Sequence, residues 1–188
     1  MTQIAEIDKI IAVSNTGPLI SAFQCGRIDL LRRYFSFICI SESELAEFES
    51  HGWKDELSQL IADNFAIVLQ LTDSEKKQAE EVAKRIAALP TSGNSEWDSH
   101  LPEAEAIVLM QRRSRLEFAI ILLDEKAARH VASEMGLTLT GFPGVLGWSG
   151  RDGILTKQDI RQLLKTCQEQ GTYYSDRLIE TLAETYGK

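Results

Sequence analysis

The segment IIAVSNTGP, residues 10–18, predicts a strand that runs directly into a helix. Ile10–Ser14 is a short run of β-branched and apolar residues, which is typical of a buried strand. A polar turn follows it, and Pro18 suits the first turn of a helix, where a missing N–H leaves no intrahelical bond unmade. We therefore expect a helix from about Pro18.

The same alternation of strand and helix continues along the chain. Further strands are predicted at residues 35–40, 66–71, 118–123 and 137–140. Helices are predicted at 28–34, after Ser41, and at 54–64, 74–89, 102–113 and 125–135, with a helical remainder from Gly144. Strands that alternate with helices of this length indicate an α/β fold with a parallel sheet covered on both faces.

Two local features refine this picture. Ser41 and Glu44 have the spacing of a capping box, so we expect them to open the helix after the second strand. The polar stretch 90–99 is interpreted as an exposed loop rather than a linker, because further α/β pattern follows it. We expect one domain spanning residues 1–188, with the C-terminal helices from about 144 packed on it.

The composition excludes several classes of protein. The chain has 188 residues and a net charge of −8, which disfavours binding of nucleic acid or anionic membranes through bulk positive charge. No apolar run approaches the ~20 residues of a membrane-spanning helix, and the N-terminus lacks a secretory signal pattern. Three widely spaced cysteines give no disulfide framework, so we expect a cytoplasmic protein.

Oxygen-bearing side chains follow three of the predicted strands. Asn15 follows the first strand, Glu42–Glu49 the second, and Asp124 and Glu125 the fourth. Ligands of parallel sheets bind beyond the carboxyl ends of the strands. Oxygen ligands of this kind suit Mg²⁺ or Mn²⁺, and two such ions can hold both oxygens of an in-line phosphodiester displacement.

A structural interpretation of the same residues stays open. Asn15 and Asp124 also occupy positions where helix N-caps belong, and glutamates early in a helix complement its dipole. Glu103 borders the apolar face of its predicted helix, so it needs a basic or metal partner. The same test places Glu44 nearer the apolar face than Glu47, so periodicity does not select Glu47.

Four segments resemble, in the same order, the motifs of PIN-type nucleases, and most closely a bacterial and archaeal PIN-like branch related to VapC toxins. These segments are AVSNTGPLI (12–20), ISESELAEF (40–48), PEAEAI (102–107) and LLDEKAAR (122–129). The resemblance assigns the acidic positions of the family to Glu47, Glu103 and Asp124, with Glu125 beside the last. The tail YSDRLIE (174–180) also looks like that branch.

The resemblance implies a three-layer α/β/α fold with a central parallel sheet. It also implies an endoribonuclease that uses Mg²⁺ or Mn²⁺, with Asn15, Glu47, Glu103, Asp124 and Glu125 as metal ligands and RNA as substrate. Family members commonly form homodimers, and many are toxins silenced by a cognate antitoxin protein.

Two departures from the family pattern keep other functions open. Asn15 stands where the pattern most often has Asp, which removes one negative charge from the site. GFPG (141–144) replaces a Gly-Thr-x-Gly stretch and its hydroxyl. The alternatives are a PIN-fold binding or regulatory module without nuclease activity, and a non-nuclease α/β domain whose acids only cap helices. Basic residues at 112–115 and 126–129 either track an RNA strand or lie on solvated helix faces.

Overall fold

A computed structural model describes residues 9–112 and 117–188. Within these ranges five parallel strands form one sheet in the order β3-β2-β1-β4-β5. The strands are β1 (Ile10–Ser14), β2 (Phe35–Ser41), β3 (Ala66–Leu69), β4 (Phe118–Leu122) and β5 (Leu139–Thr140). The helices of the described ranges are α1 (Thr16–Gln24), α2 (Ile28–Tyr34), α3 (Glu44–Ser50), α4 (Lys54–Ala62), α5 (Asp73–Ala87), α6 (Leu101–Met110), α7 (Lys126–Glu134), α8 (Phe142–Arg151), α9 (Lys157–Glu169) and α10 (Asp176–Tyr186).

The sheet separates two hydrophobic cores. Side chains alternate between the faces of a strand, so Ala12 packs into one core and Val13 into the other. The first core contains residues of α1–α4 and α8–α10, and the second contains residues of α5, α6 and α7. This arrangement confirms the predicted three-layer α/β/α fold with a central parallel sheet.

The C-terminal helices belong to the first of these cores. Phe142 and Leu146 of α8, Leu164 of α9 and Ile179 of α10 are buried in the same cluster as Leu19 of α1. Tyr174, which precedes α10, is also buried there and comes within reach of the carboxyl end of the sheet. In the ranges that the structure describes, no helix is both long and apolar enough to cross a membrane.

Several local predictions differ from the structure. Helix α1 begins at Thr16 rather than Pro18, and β3 ends at Leu69 rather than at residue 71. The prediction of an exposed loop at 90–99 is confirmed, since all of these residues are exposed except the partly buried Ser92; a 3-10 turn, Trp97–His100, then buries His100 against Ser92 and Asn94. The predicted end of the 102–113 helix lies outside the described residues; α6 ends at Met110.

The predicted capping box between Ser41 and Glu44 is wrong. Helix α3 begins at Glu44 itself, with Ser43 as its N-cap residue, and the Ser41 hydroxyl lies 2.8 Å from the Ser43 hydroxyl. Glu44 is therefore the first helical residue rather than the third, so it does not hold the N3 position that a capping box requires. Capping boxes do form at α5, between Thr72 and Glu75, and at α9.

Candidate functional site

The candidate site lies where the three central strands end. Strands β2 and β3 lie on one side of β1, and β4 and β5 lie on the other side, so the strand order reverses at β1. Such a switch point opens a crevice at the carboxyl edge of a parallel sheet. The side chains there are Asn15, Glu44, Glu47, Glu103 and Asp124, which we call the acidic edge.

Asn15 and Glu103 form the centre of the acidic edge. The Asn15 side-chain Nδ2 donates to Glu103 Oε1 at 3.1 Å, and Asn15 is 4% exposed. Among the described residues, Asn15 Oδ1 and Glu103 Oε2 are buried with no hydrogen-bond partner. Although Asn15 is the N-cap residue of α1, its side chain makes no capping bond within the described chain. The capping interpretation of Asn15 is therefore wrong.

Asp124 is held by two distant parts of the chain. Its Oδ1 accepts from the backbone N–H of Phe142 at 3.1 Å, at the start of α8. Its Oδ2 accepts from the Tyr174 hydroxyl at 2.7 Å, which is also 2.7 Å from the Ser21 hydroxyl. Burial raises the pKa of Asp124 to about 6, although both hydrogen bonds act in the opposite direction.

Glu125, not Asp124, caps the helix that follows β4. The two Glu125 carboxylate oxygens accept from the backbone N–H groups of Ala127 at 3.0 Å and Ala128 at 2.5 Å. The prediction that Asp124 caps its own helix is wrong, because Asp124 reaches across to α8 instead. Glu125 keeps fewer free lone pairs for any other ligand than a solvated carboxylate would.

Gly141 makes room for Asp124. A Cβ atom on Gly141 would overlap Asp124 Oδ1 and would lie 2.8 Å from the backbone oxygen of Leu123. The GFPG segment thus contributes the absence of a side chain and the N–H of Phe142 to this edge. From the sequence, only the missing hydroxyl of this segment was evident.

Glu47 and Glu44 approach from α3. Thr16 Oγ1 donates to Glu47 Oε2 at 2.6 Å, and the Glu47 side chain is 34% exposed. Glu44, one turn earlier, is 0% exposed, and within the described ranges neither of its oxygens has a hydrogen-bond partner. From sequence, Glu44 was one of the acidic residues after the second strand, and helical spacing placed it nearer the apolar face than Glu47, but the resemblance assigned the acidic position to Glu47.

The electrostatics of the edge follow from burial. Burial raises the pKa of Glu103 to about 7, and the nearby charge of Glu47 acts in the same direction. Burial also raises the pKa of Glu44 well above its ordinary value, the carboxylates of Glu47, Glu103 and Glu105 add to the effect, and the nearby backbone N–H of Ser41 opposes it, although it is not placed to make a full hydrogen bond. A cation placed at this edge would stabilise the ionised forms of all these groups.

The oxygen atoms of the acidic edge are of the type that a hard cation prefers, but their present spacing does not suit one. Carboxylate and amide oxygens are the ligands that Mg²⁺ and Mn²⁺ prefer, and the unpartnered oxygens of Asn15 and Glu103 belong to that class. In residues 9–112 and 117–188, however, no three Asp, Glu, His or Cys side chains are grouped closely enough to hold one ion. Binding would therefore require side-chain rotations at the acidic edge.

A cavity of about 370 Å³ opens beside Asp124, and its lining includes Lys126, Arg129 and Tyr173. Arg129 Nη1 donates to the backbone oxygen of Leu123 at 2.7 Å, which directs the guanidinium toward this cavity. Arg112, by contrast, is bonded to Glu75 away from the cavity. Of the basic groups considered from sequence, 126–129 lies at the candidate site, while Arg113 and Arg115 lie outside the described residues.

Comparison with known proteins adds one finding. A family model described as a PIN domain matches residues 11–188, which includes every residue of the acidic edge. No match was found among curated proteins or among solved structures.

Proposed function

Because the chain belongs to the PIN-domain family, we propose that it is an endoribonuclease that depends on Mg²⁺ or Mn²⁺. The proposed metal ligands are Asn15, Glu47, Glu103, Asp124 and Glu125. The observation that carries the proposal is the pair of buried, unpartnered oxygens on Asn15 and Glu103, within the described part of the chain, at the carboxyl edge of the sheet. An orphaned polar atom is costly to bury, and a bound cation would offset that cost.

Each residue has a separate role in this proposal. A bound ion supplies the Lewis acidity that activates an attacking water and offsets charge on the leaving oxygen. Glu103 and Asp124 supply negative charge, and Asn15 supplies a neutral oxygen. Tyr174 and the N–H of Phe142 hold Asp124 in one orientation, as supporting hydrogen bonds do for metal ligands generally. Lys126 and Arg129 would contact the phosphates of the substrate strand.

The net charge gives the proposal a direct consequence. At −8 the chain repels RNA, and the carboxylates of the acidic edge repel it most strongly where the scissile phosphate would lie. A divalent ion inverts the local field. We therefore expect RNA to bind weakly when a chelator is present and to bind measurably when Mn²⁺ is added.

The test is cleavage of single-stranded RNA by the full chain with Mn²⁺, with and without chelator. We expect Asp124→Asn and Glu47→Gln each to reduce the rate by roughly 10- to 100-fold or more, because each removes a ligand charge. Glu49→Gln is the matched control, since Glu49 lies on the same helix but is exposed and paired with Lys54. Cleavage that persists unchanged in chelator, or in both site variants, would contradict the proposal.

One observation favours a second candidate, a PIN-fold binding or regulatory module without nuclease activity. The Asn15 amide donates to Glu103 at 3.1 Å, so this carboxylate has a neutral hydrogen-bond donor. An Asp at position 15 would instead place a second carboxylate beside Glu103, and the two would need a cation between them. Calorimetric titration with Mn²⁺ separates the two candidates. Heat of binding that disappears in Asp124→Asn supports the nuclease, and no binding supports the module.

We further propose that the protein acts in the cytoplasm as a homodimer and as the toxin of a toxin-antitoxin pair, with residues 1–188 forming one domain. The shared core of α1, α2 and α8–α10 supports the domain proposal. Light scattering of the purified chain tests the dimer. Growth arrest on expression that is relieved by the product of the neighbouring gene tests the toxin role.

A further inference from the structure

Tyr173 exposes its ring to solvent although the backbone on both sides of it is held in place. It is 83% exposed, whereas the other exposed large apolar side chains of the described ranges are 37–39% exposed. The neighbouring Thr172 hydroxyl donates to Gln24 Oε1 at 2.7 Å, and the buried Tyr174 hydroxyl donates to Asp124 at 2.7 Å. A ring on such a backbone can stack on a ligand with little loss of conformational freedom.

The cavity that Tyr173 lines, beside Asp124, has largely apolar walls. Its lining also includes Pro143, Leu178 and Leu182, and its volume of about 370 Å³ is in the range of small-ligand sites. Leu178, in the first turn of α10, is 38% exposed, so part of this apolar surface faces solvent. A flat apolar group that entered the cavity would leave water and contact the ring of Tyr173.

Positive charge lines the same cavity. Lys126 and Arg129 are three residues apart on α7, both line the cavity, and neither forms an ion pair with another residue that the structure describes. Two cations beside apolar walls suit a ligand that joins anionic groups to flat apolar ones. A nucleotide is such a ligand, because its phosphate is anionic and its base presents a π-face to aromatic side chains.

We propose that this cavity binds an unpaired base of a single-stranded RNA, with the base stacked on Tyr173 and the adjoining phosphates in contact with Lys126 and Arg129. A base within a duplex is stacked on its neighbours, so duplex RNA does not offer one to the cavity. Stacking on an aromatic ring tolerates every base, so the cavity selects unpaired strands rather than a sequence. The choice of RNA rests on the proposed function, but Tyr173 is not among the proposed metal ligands.

The experiment measures, by fluorescence anisotropy, binding of a labelled oligouridine to the full chain with Ca²⁺, which takes the same class of oxygen ligands as Mn²⁺. A second oligomer has the same ribose-phosphate backbone but no bases. We expect Tyr173→Ala to bind oligouridine roughly 5- to 100-fold more weakly and to bind the abasic oligomer like wild type. Tyr173→Phe keeps the ring and should restore the affinity.

Lys126→Ala separates the contribution of the phosphates from that of the base. It should weaken binding of both oligomers by the same factor, because both carry the same phosphates. It should also reduce the slope of log affinity against log salt by about 0.7, the value for one phosphate of a single strand. Tyr173→Ala should leave this slope unchanged.

A loss in Tyr173→Ala that depends on the bases supports the proposal. An equal loss for both oligomers, or no loss for either, overturns it. A change of oligomeric state in Tyr173→Ala with unchanged RNA affinity also overturns it, because the ring would then lie between two copies of the chain. These results leave the proposed function standing if cleavage with Mn²⁺ persists. A wild type that binds oligouridine through Tyr173 but cleaves no RNA overturns the proposed nuclease alone.

Discussion

The carboxylates near the two ends of helix α6, Glu75 and Glu103, have different kinds of hydrogen-bond donor. Just beyond its C-terminus, Arg112 Nε and Nη2 each donate at 2.8 Å to the Glu75 carboxylate, and Nη2 also donates at 2.7 Å to the backbone oxygen of Gln70. The guanidinium lowers the pKa of Glu75 to about 2. In the first turn, by contrast, burial raises the pKa of Glu103 to about 7, and the hydrogen-bond donor to its Oε1 is the neutral amide of Asn15.

The difference separates a structural carboxylate from a candidate functional one. Between α5 and the end of α6, Arg112 supplies the cation that pairs with Glu75. The pair is bidentate, which is the strong form of an ion pair. At the acidic edge no Lys or Arg of the described ranges forms an ion pair with Glu44, Glu103 or Asp124. Perturbed carboxylates in a crevice are typical of functional sites, where an external ligand completes the charge balance.

The largest expected effect is on how stability changes with pH in the metal-free protein. Glu103 has a pKa of about 7 when folded against 4.5 ordinarily, so it holds its proton more tightly in the folded state. Its contribution to stability is complete below pH 4.5 and is lost as the pH rises to about 7. We expect the free energy of unfolding to fall by about 3 kcal/mol from this group over that window.

Urea denaturation in chelator at a series of pH values measures this fall. Glu103→Gln should give a flatter curve than wild type, because the amide does not titrate. Adding Mn²⁺ should reverse the slope in wild type, since the cation binds the deprotonated carboxylate. Parallel curves for wild type and Glu103→Gln would contradict the contrast between Glu103 and Glu75, because Glu103 would then behave as an ordinary solvated acid.

The fold was predictable from local patterns. Runs such as Ile10–Ser14 and Phe118–Leu122 carry their strand preference in β-branched and apolar side chains, and polar turns separate them from amphipathic helices. Parallel order followed from the alternation of these elements. The capping box at Ser41 failed because helix α3 begins at Glu44, with Ser43 rather than Ser41 as its N-cap residue, and local spacing does not fix where a helix starts.

The candidate site was predictable in its residue types but not in its contacts. Asn15 meets Glu103 across 88 positions of sequence, and Asp124 meets Tyr174 across 50. Local spacing cannot show such pairs, so the sequence was equally compatible with Asn15 and Asp124 being helix caps or site residues. In the sequence, Tyr174 is only part of a tail that resembles the family, and no local pattern indicates that its hydroxyl reaches the acidic edge.

An intermediate effect is expected at the other end of α6. Arg112→Met removes two charged hydrogen bonds from Glu75, and we expect it to lower the free energy of unfolding at pH 7 by about 2 kcal/mol. Arg85→Met is the matched control, because the Arg85–Glu134 pair is about half exposed and should contribute less than about 0.5 kcal/mol. Mn²⁺ affinity should not change in either variant. A loss of affinity in Arg112→Met would show that the two ends of α6 are coupled.

The smallest expected effect concerns Asp124, which lies between the two extremes because neutral donors hold it. Tyr174→Phe removes the 2.7 Å hydrogen bond to Asp124 Oδ2 and leaves the N–H of Phe142 in place. We expect a loss of about 1 kcal/mol in unfolding free energy. The pKa of Asp124 should rise above about 6, because the Tyr174 hydroxyl opposes the effect of burial. Protons would then compete more strongly with a cation, so Mn²⁺ affinity should fall most near pH 6.

The adjacent tyrosine provides the control for this prediction. Tyr173 is 83% exposed and lines the cavity beside Asp124, so Tyr173→Phe alters the same neighbourhood without touching the carboxylate bonds described above. Stability and Mn²⁺ affinity should match wild type in Tyr173→Phe and fall in Tyr174→Phe. Equal behaviour of the two variants would mean that the Tyr174 hydroxyl does not orient Asp124. The pKa of Asp124 would then depend on burial alone. Asp124 would differ from Glu75 in its solvation, and not in the hydrogen bonds that hold the carboxylate.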